Sequence, residues 1–370
     1  MQLLKEGDCI RETYLIEKFL GEGAFAEVYR VRHQFMGRQA MKVFKRIGMD
    51  RYDIDEMLGE AVLLSKIGHP NIIRVFDANV FETPRGICGY FTMENVPGGS
   101  LESFWQSYGT DFVPLEITID IMCQVCRGLA VAHKENPPIV HRDIKPQNIL
   151  IGYEPEGIRA RVCDFGLAKK VNPLTLLATA AGTLAFKPPE IFHDLKTDSC
   201  AGDVWALGVT LYLMLTDRLP YEVDPVFGWS DNHSFDKELT LPSYCNPTVD
   251  IALEKIVLRC LDFDQKNRYL TAKELLDDLE GWKKPAHRES NPPKCMSSEL
   301  SKDVLGIAHS PLNHEEAQRL ARMALTKVKQ EGYRGLSSAA DIMEEAFNKS
   351  PSLREKYANL VRLWRDGKVM

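Results

Sequence analysis

No stretch of the 370-residue chain is long and apolar enough to suggest a bilayer span. The longest apolar run, Trp205 to Leu215, is bounded by Asp203 and Asp217. It has the length of a buried core helix. The opening residues, Met1-Gln-Leu-Leu-Lys-Glu-Gly-Asp8, lack the apolar centre of a secretory signal. An excess of positive charge is also missing, with 46 Lys+Arg against 52 Asp+Glu and a net charge of −6. The basic balance of a protein that wraps nucleic acid is therefore absent, and neither a nucleic-acid nor a membrane partner is expected. There is no disulfide framework. The nine cysteines are odd in number and scattered from Cys9 to Cys295, which predicts reduced thiols and a cytoplasmic location. Cys123 and Cys126 form a C-x-x-C without a second pair. They lie in a helical pattern, Leu115 to His133, with Ile119, Met122, Cys126 and Leu129 on one face, so two core thiols are the better reading than a metal site. What is present is an ordinary globular composition, 44% hydrophobic and 26% charged, enough to bury a large core without staples.

Three zones follow one another. Up to about residue 95 the pattern is mainly strands: Tyr14 to Leu20, Glu27 to Arg32, Arg38 to Lys45, Ile72 to Phe81 and Ile87 to Glu94. One helix, Asp53 to Ile67, interrupts them, with Met57, Ala61, Leu64 and Ile67 at helical spacing and Gly68 at its end. From about 100 to 284 helices dominate: Leu115 to His133, stopped by Pro137-Pro138, and stretches near 202–216, 250–261 and 271–282. Two short apolar runs, Asn148 to Ile151 and Ala160 to Cys163, lie between them. Residues 285–300 are polar with three prolines and read as a linker. Beyond it, Ala317, Leu320, Ala321, Ala324, Leu325 and Val328 form one helical stripe. Leu353, Tyr357, Leu360, Val361 and Trp364 form another. Ser350-Pro351 supplies a cap and a first-turn proline. The expected organisation is an N-terminal extension at 1–12, a main domain at 13–284 (lobes 13–96 and 97–284), the linker, and a helical extension at 301–370.

Three segments carry chemistry. Gly21-Glu22-Gly23-Ala24-Phe25-Ala26-Glu27-Val28 lies in a turn between two strands, where glycines let backbone N–H groups approach an anion. A dinucleotide-binding loop would need a helix after it, and the strand at Glu27 argues against one. Ala40-Met41-Lys42 places a lysine within a strand, with Ala40, Lys42 and Phe44 on one face. An inward lysine needs a partner; Glu60 is plausible and Glu56 is available. The third segment, Ile139-Val-His141-Arg142-Asp143-Ile-Lys145-Pro-Gln147-Asn148-Ile-Leu150, is followed by Asp164-Phe165-Gly166, 21 residues beyond Asp143. Phosphoryl transfer needs hard oxygen ligands for magnesium, a carboxylate for the attacking hydroxyl and cations for the phosphates. All three residue types are here.

With these motifs in this order, together with Pro188-Pro-Glu190, Asp203-Val-Trp-Ala-Leu-Gly and Arg268, the chain from about Tyr14 to Trp282 resembles a eukaryotic-type serine/threonine protein kinase. The resemblance implies an α+β, bilobal protein-kinase fold: a small antiparallel-sheet N-lobe with one regulatory helix, and a large helical C-lobe, here with a helical C-terminal extension. It implies ATP and Mg2+ as co-reactants and protein substrates. Asp143 is then the catalytic base or orienter, with Lys145 beside the γ-phosphate. Asn148 and Asp164 hold magnesium, and Lys42 contacts the α- and β-phosphates and pairs with Glu60. Gly21 to Phe25 cover the phosphates, while Val28 and Ala40 wall the adenine. Met93 resembles the gatekeeper, and backbone groups of Glu94 and Val96 meet the adenine edge. His141 and Phe165 are expected to pack, and His69 resembles a structural turn residue. Asp203 is expected to accept hydrogen bonds from the catalytic-loop backbone, and Glu190 and Arg268 to form a buried pair.

Arg142 resembles the arginine that receives a phosphate from the activation segment, 167–187, where Thr175 and Thr179 are the candidates for autophosphorylation. Thr183 is expected to face substrate beside Asp143 and Lys145. The sequence departs from the family pattern at Ala26, which replaces a glycine, and at Phe186-Lys187-Pro188, which replaces the more common Tyr-Met-Ala. That second departure leaves peptide preference open. Gln147, often Glu in kinases of basic peptides, removes one reason to expect an Arg-directed substrate. The C-terminal stripes must be covered by something, and docking on the kinase or on a partner is the expectation. A pseudokinase scaffold is the alternative function, disfavoured because Lys42, Asp143, Asn148 and Asp164 are all present. A small-molecule kinase is weakened by Glu190, Asp203 and Arg268.

Overall fold

The computed structural model describes residues 2–23, 26–45, 58–83, 86–109, 112–165, 184–192, 199–221, 239–283, 320, 323, 324, 327, 336–349, 361, 364 and 365. The chain divides into two compact units, Met1–Ala286 and His287–Met370.

The first unit begins with a twisted antiparallel sheet. Its strands are β1 (Cys9–Ile10), β2 (Tyr14–Glu22), β3 (Ala26–His33), β4 (Gly37–Phe44), β5 (Val75–Thr83) and β6 (Gly86–Glu94), in the spatial order β1-β2-β3-β4-β6-β5. Residues 1–12, set apart by the sequence as an extension, contribute β1, which pairs with Tyr14 and Leu15. Leu4 and Ile10 join the small-lobe core with Tyr29, Met41, Val43 and Tyr90. β4 is buried on both faces, because Ala40 and Phe44 belong to a different core that runs on into the large lobe. This double burial is why an alternating strand puts Lys42 inward.

One helix, α1 (Gly59–Lys66), packs on this sheet; the expected helix start at 53–57 lies outside the described residues. The strand expected from Ile72 begins instead at Val75. Ile72 forms an isolated parallel bridge with Val162, and the Ile73 N–H donates to the Val162 carbonyl. These large-lobe contacts draw the chain out of the sheet for three residues.

The large lobe opens with α2 (Leu101–Gln106), unforeseen in the sequence and capped by Ser100, whose hydroxyl accepts the Ser103 N–H. Then come α3 (Leu115–His133), the hairpin β7 (Ile149–Glu154) and β8 (Gly157–Val162), α4 (Cys200–Thr216), α5 (Pro242–Cys245), α6 (Ile251–Cys260) and α7 (Ala272–Lys283). α4 is apolar all round and nearly every residue is buried, as a central helix must be. Ser199 and Asp250 cap α4 and α6 by accepting the N–H groups of Gly202 and Leu253. Cys123 and Cys126 are free thiols buried in α3; burial pushes the Cys123 thiol up to about 11.

In the second unit, α8 (Leu336–Lys349) packs Leu336, Ala339, Ala340, Met343, Ala346 and Phe347 against Ala324, Val361 and Trp364. Members of the two C-terminal stripes thus cover one another and share a core with a helix the sequence reading did not name. Among the described residues no helix is long and apolar enough to cross a membrane.

Candidate active site

The β2–β3 hairpin holds the glycine-bearing turn. Gly21 faces Val28 and Glu22 faces Glu27 in register, and the Gly23 N–H donates to the Ala26 carbonyl at 2.8 Å. A strand on each side of the turn excludes a Rossmann unit. A Cβ on Gly21 would meet no described atom within 4 Å, and one on Gly23 only the Ala26 oxygen at 3.9 Å. Ala24 and Phe25 lie outside the described residues. Below the turn, Val28 pairs with Lys42 across β3–β4, and Ala40 pairs with Met93 across β4–β6. The two residues expected to wall the adenine, Val28 and Ala40, pack on one core with Met93, the expected gatekeeper, and Val96.

The segment after β6 connects the lobes. Its path is set by Gly98, where a Cβ would come 2.1 Å from the Ile151 oxygen; only glycine permits that approach. The Ile151 N–H donates to the Gly99 carbonyl at 2.8 Å, closing the segment onto β7. Glu94 is fixed by its N–H to the Arg74 carbonyl at 2.9 Å and by an ion pair with Arg161 at 3.0 Å. Arg161 also reaches Glu154 at 2.5 Å. The Glu94–Arg161–Glu154 cluster had no signal in the sequence, because Arg161 and Glu154 lie 60 or more positions from Glu94 and meet it only when β8 folds under the hinge.

Asp143 is the most heavily held side chain of the site. Its Oδ2 meets the Lys145 ammonium at 2.8 Å and accepts from Asn148 Nδ2 at 2.9 Å. Its Oδ1 accepts from Lys187 Nζ at 3.0 Å. Its own N–H donates to His141 Nδ1 at 3.2 Å, and its carbonyl accepts from Asn148 at 2.7 Å. Burial alone would raise its pKa. The ammonium groups of Lys187 and Lys145 outweigh burial and hold the carboxyl well below the usual carboxylate range.

Lys42, with its ammonium buried, donates to Asp164 Oδ1 at 2.9 Å and lies 5.5 Å from the centre of the Phe91 ring. The sequence reading gave it Glu60 as partner; the Glu60 side chain, Glu56, Thr175, Thr179 and Thr183 lie outside the described residues. Asp164 has a left-handed backbone, φ 64°, and Arg142 another, φ 71°. Such conformations strain a non-glycine residue and need support from their surroundings. For Arg142 the support is Asp203. Its two carboxylate oxygens accept the N–H groups of His141 (2.7 Å) and Arg142 (2.8 Å), and His133 Nε2 adds a third contact at 3.0 Å. His141 takes the Asp143 N–H on Nδ1 and places Nε2 2.9 Å from the Cys163 carbonyl. That requires the neutral ring with a proton on Nε2, in line with the downward push that burial gives its pKa. Phe165 packs against the same ring at 4.5 Å. His69 caps its own turn by accepting the Asn71 N–H at 3.1 Å.

The donor set suits a hard divalent cation and a polyphosphate. Asn148 commits its amide nitrogen to Asp143, which leaves its oxygen as the ligand atom, and Asp164 offers a carboxylate 2.9 Å from a lysine that can share a phosphate. Few protein oxygens suffice for a cation that keeps phosphate and water in its shell. The three lysines 42, 145 and 187 against two aspartates leave the described cluster with a net positive charge that favours an anionic ligand. Lys187 was missed as a site residue. Its only signal in the sequence was the departure at Phe186-Lys187-Pro188.

A sequence model described as the protein kinase domain matches residues 14–279. A probable serine/threonine-protein kinase of Clostridium acetobutylicum is 30% identical over 332 residues, covering 84% of this chain and 48% of that protein. The probable serine/threonine-protein kinase PknB of Lactococcus lactis is 29% identical over 284 residues, covering 75% of this chain and 43% of that protein. The chain therefore spans less than half the length of these curated relatives. The crystal structure of the Mycobacterium tuberculosis PknI kinase domain shares the fold, with a TM-score of 0.55 at 23% identity, over 75% of this chain and 99% of that one. The chain belongs to the protein kinase family.

Proposed function

We propose that the protein is a serine/threonine protein kinase that transfers the γ-phosphoryl group of Mg-ATP to Ser or Thr hydroxyls of protein substrates. Membership of the family carries ATP, a divalent cation and a protein acceptor in general. The observation that supports the finer reading is the convergence of Lys145 and Asn148 on the Asp143 carboxylate, each within 2.9 Å of it, in the same unit as the Lys42–Asp164 pair. A lysine two residues after the loop aspartate resembles serine/threonine rather than tyrosine kinases.

In this reading Asn148 and Asp164 hold the magnesium ion and Lys42 the α- and β-phosphates. The turn from Gly21 covers the phosphates, and the walls at Val28, Ala40 and Met93 with the backbone of Glu94 and Val96 take the adenine. When bound, Mg-ATP supplies the phosphoryl group together with the metal charge that offsets its negative oxygens. Asp143 accepts the hydrogen bond of the acceptor hydroxyl, orients its oxygen and receives its proton as the new O–P bond forms and the bond from the γ-phosphorus to the β–γ bridging oxygen breaks, releasing ADP. Lys145 holds Asp143 ionised and provides positive charge where it develops. The proposal includes autophosphorylation at Thr175 or Thr179 with Arg142 as receiver; phosphatase-treated enzyme is expected to turn over more slowly. It also places the enzyme in the cytoplasm, which the free thiols support.

Incubation with γ-labelled ATP, magnesium and a generic protein acceptor, followed by phosphoamino-acid analysis, tests the reading. Label on phosphoserine or phosphothreonine is expected. Nucleotide binding without any transfer would make the chain a signalling scaffold instead.

A further inference from the structure

Lys187 lies where the resemblance to the family leads one to expect an apolar methionine, three residues before Glu190 in the segment that ends Phe186-Lys187-Pro188-Pro189-Glu190. It is 6% exposed. Its ammonium points into the catalytic loop, 3.0 Å from Asp143 Oδ1 and 2.8 Å from the Arg142 carbonyl oxygen. A buried ammonium is costly unless it is both paired and hydrogen-bonded, and here it is both. An apolar side chain would fill this place with no such demand, so the cation calls for an explanation in the site it touches.

Among the described residues, the other contacts to the Asp143 carboxylate come from its own loop: Lys145 and Asn148, both on Oδ2. Contacts on one oxygen leave the carboxylate able to turn about its Cβ–Cγ bond. Among the described residues Lys187 is the contact from outside the loop, and it takes the opposite oxygen. Each carboxylate oxygen offers two acceptor positions, so Lys187 fixes the plane of the group and leaves Oδ1 a lone pair for an incoming hydroxyl. The segment that carries Lys187 is itself anchored. Glu190 receives Arg268 Nη1 and Nη2 at 2.9 and 2.8 Å, and the Lys187 N–H donates to the Leu184 carbonyl at 3.0 Å. A rigid line therefore runs from the buried Arg268 through Glu190 and Lys187 to Asp143.

We propose that Lys187 is a positioning residue for phosphoryl transfer, whose buried ammonium fixes the orientation of the Asp143 carboxylate from the end of the activation segment. The inference rests on the kinase reading above. It makes the order of that segment a condition for a correctly aimed Asp143, through one ion pair. The ionised state of Asp143, to which Lys187 contributes alongside Lys145, is consistent with the same contact.

Steady-state kinetics on the full chain test this, with thermal midpoint and ATP affinity measured on the same preparations. Lys187→Met keeps an unbranched, apolar side chain of similar length. It is expected to lower kcat by about 10²-fold, the scale of a misplaced catalytic group, with KM for ATP, ATP affinity and thermal midpoint unchanged. Lys187→Arg, which keeps the charge, is expected to return kcat above that of the methionine variant. Wild-type turnover with an undiminished kcat in Lys187→Met overturns the inference and leaves the kinase reading standing. So does a parallel fall of kcat, ATP affinity and midpoint, or an arginine variant that folds but regains nothing. A wild-type protein that transfers no phosphate removes both.

Discussion

The Arg268 guanidinium meets the Glu190 carboxylate through both terminal nitrogens, at 2.9 and 2.8 Å. Its Nε donates to the Asp262 carbonyl at 2.6 Å, and its central carbon lies 4.9 Å from the centre of the Trp205 ring. The arginine side chain is fully buried. Removing one partner leaves the other charge without compensation in a poorly solvated site. Arg268→Met is therefore expected to destabilise the first unit by about 3–5 kcal/mol, read from denaturant midpoints. A loss below about 1 kcal/mol would show that the pair is dispensable.

Asp203 holds the Arg142 backbone in its left-handed conformation and carries a pH signature. Burial by itself would raise its pKa; the contacts of His133 and His141 outweigh that and hold it below the ordinary carboxylate value. Its folded pKa thus lies under the unfolded value of about 3.9. A group of this sign contributes stability that is fully present above the unfolded pKa and is lost as pH falls through the folded one. The gap in thermal midpoint between wild type and Asp203→Asn should narrow below about pH 4 as Asp203 takes up a proton. It should narrow again above about pH 6.5, because burial disfavours the His133 cation but Asp203 outweighs burial and raises its pKa to about 9, a contribution lost as that proton leaves. A gap that persists unchanged into acid would contradict the assignment.

The small-lobe strands were legible because their alternation is strong. Ala40, Lys42 and Phe44 share one face and Met41 and Val43 the other, as β4 shows. Asp143, Asn148 and Asp164 were legible because two dense motifs carry them. The six-residue helix Leu101–Gln106 was not, since less than two turns carry no usable period. The late start of β5 was not, because Ile72 and Ile73 are β-formers diverted by a long-range contact with Val162. The Lys187–Asp143 pair spans 44 positions. Nothing local to either residue announces it.

Lys42 is buried in β4 with its ammonium on Asp164 at 2.9 Å, while the Asp164 side chain is one-third exposed. Among the described residues, losing the cation therefore leaves no buried orphan carboxylate, and methionine suits an apolar face shared with Ala40 and Phe44. Lys42→Met is expected to keep or raise the thermal midpoint and to lower kcat by about 10²–10³-fold, the usual effect of removing one preorganised donor. Unfolding of this variant, or an unchanged kcat, would contradict the role given to Lys42.

The account turns on Asp143 as the group that orients and deprotonates the acceptor hydroxyl. Its most direct test is the single-turnover rate of label transfer from γ-labelled Mg-ATP to a protein acceptor, for wild type and Asp143→Ala at saturating nucleotide. The expected result is measurable transfer by wild type, a rate about 10²–10⁴-fold lower in the variant, and an ATP affinity that remains. Transfer by Asp143→Ala at the wild-type rate, or none by the wild-type protein, would contradict it.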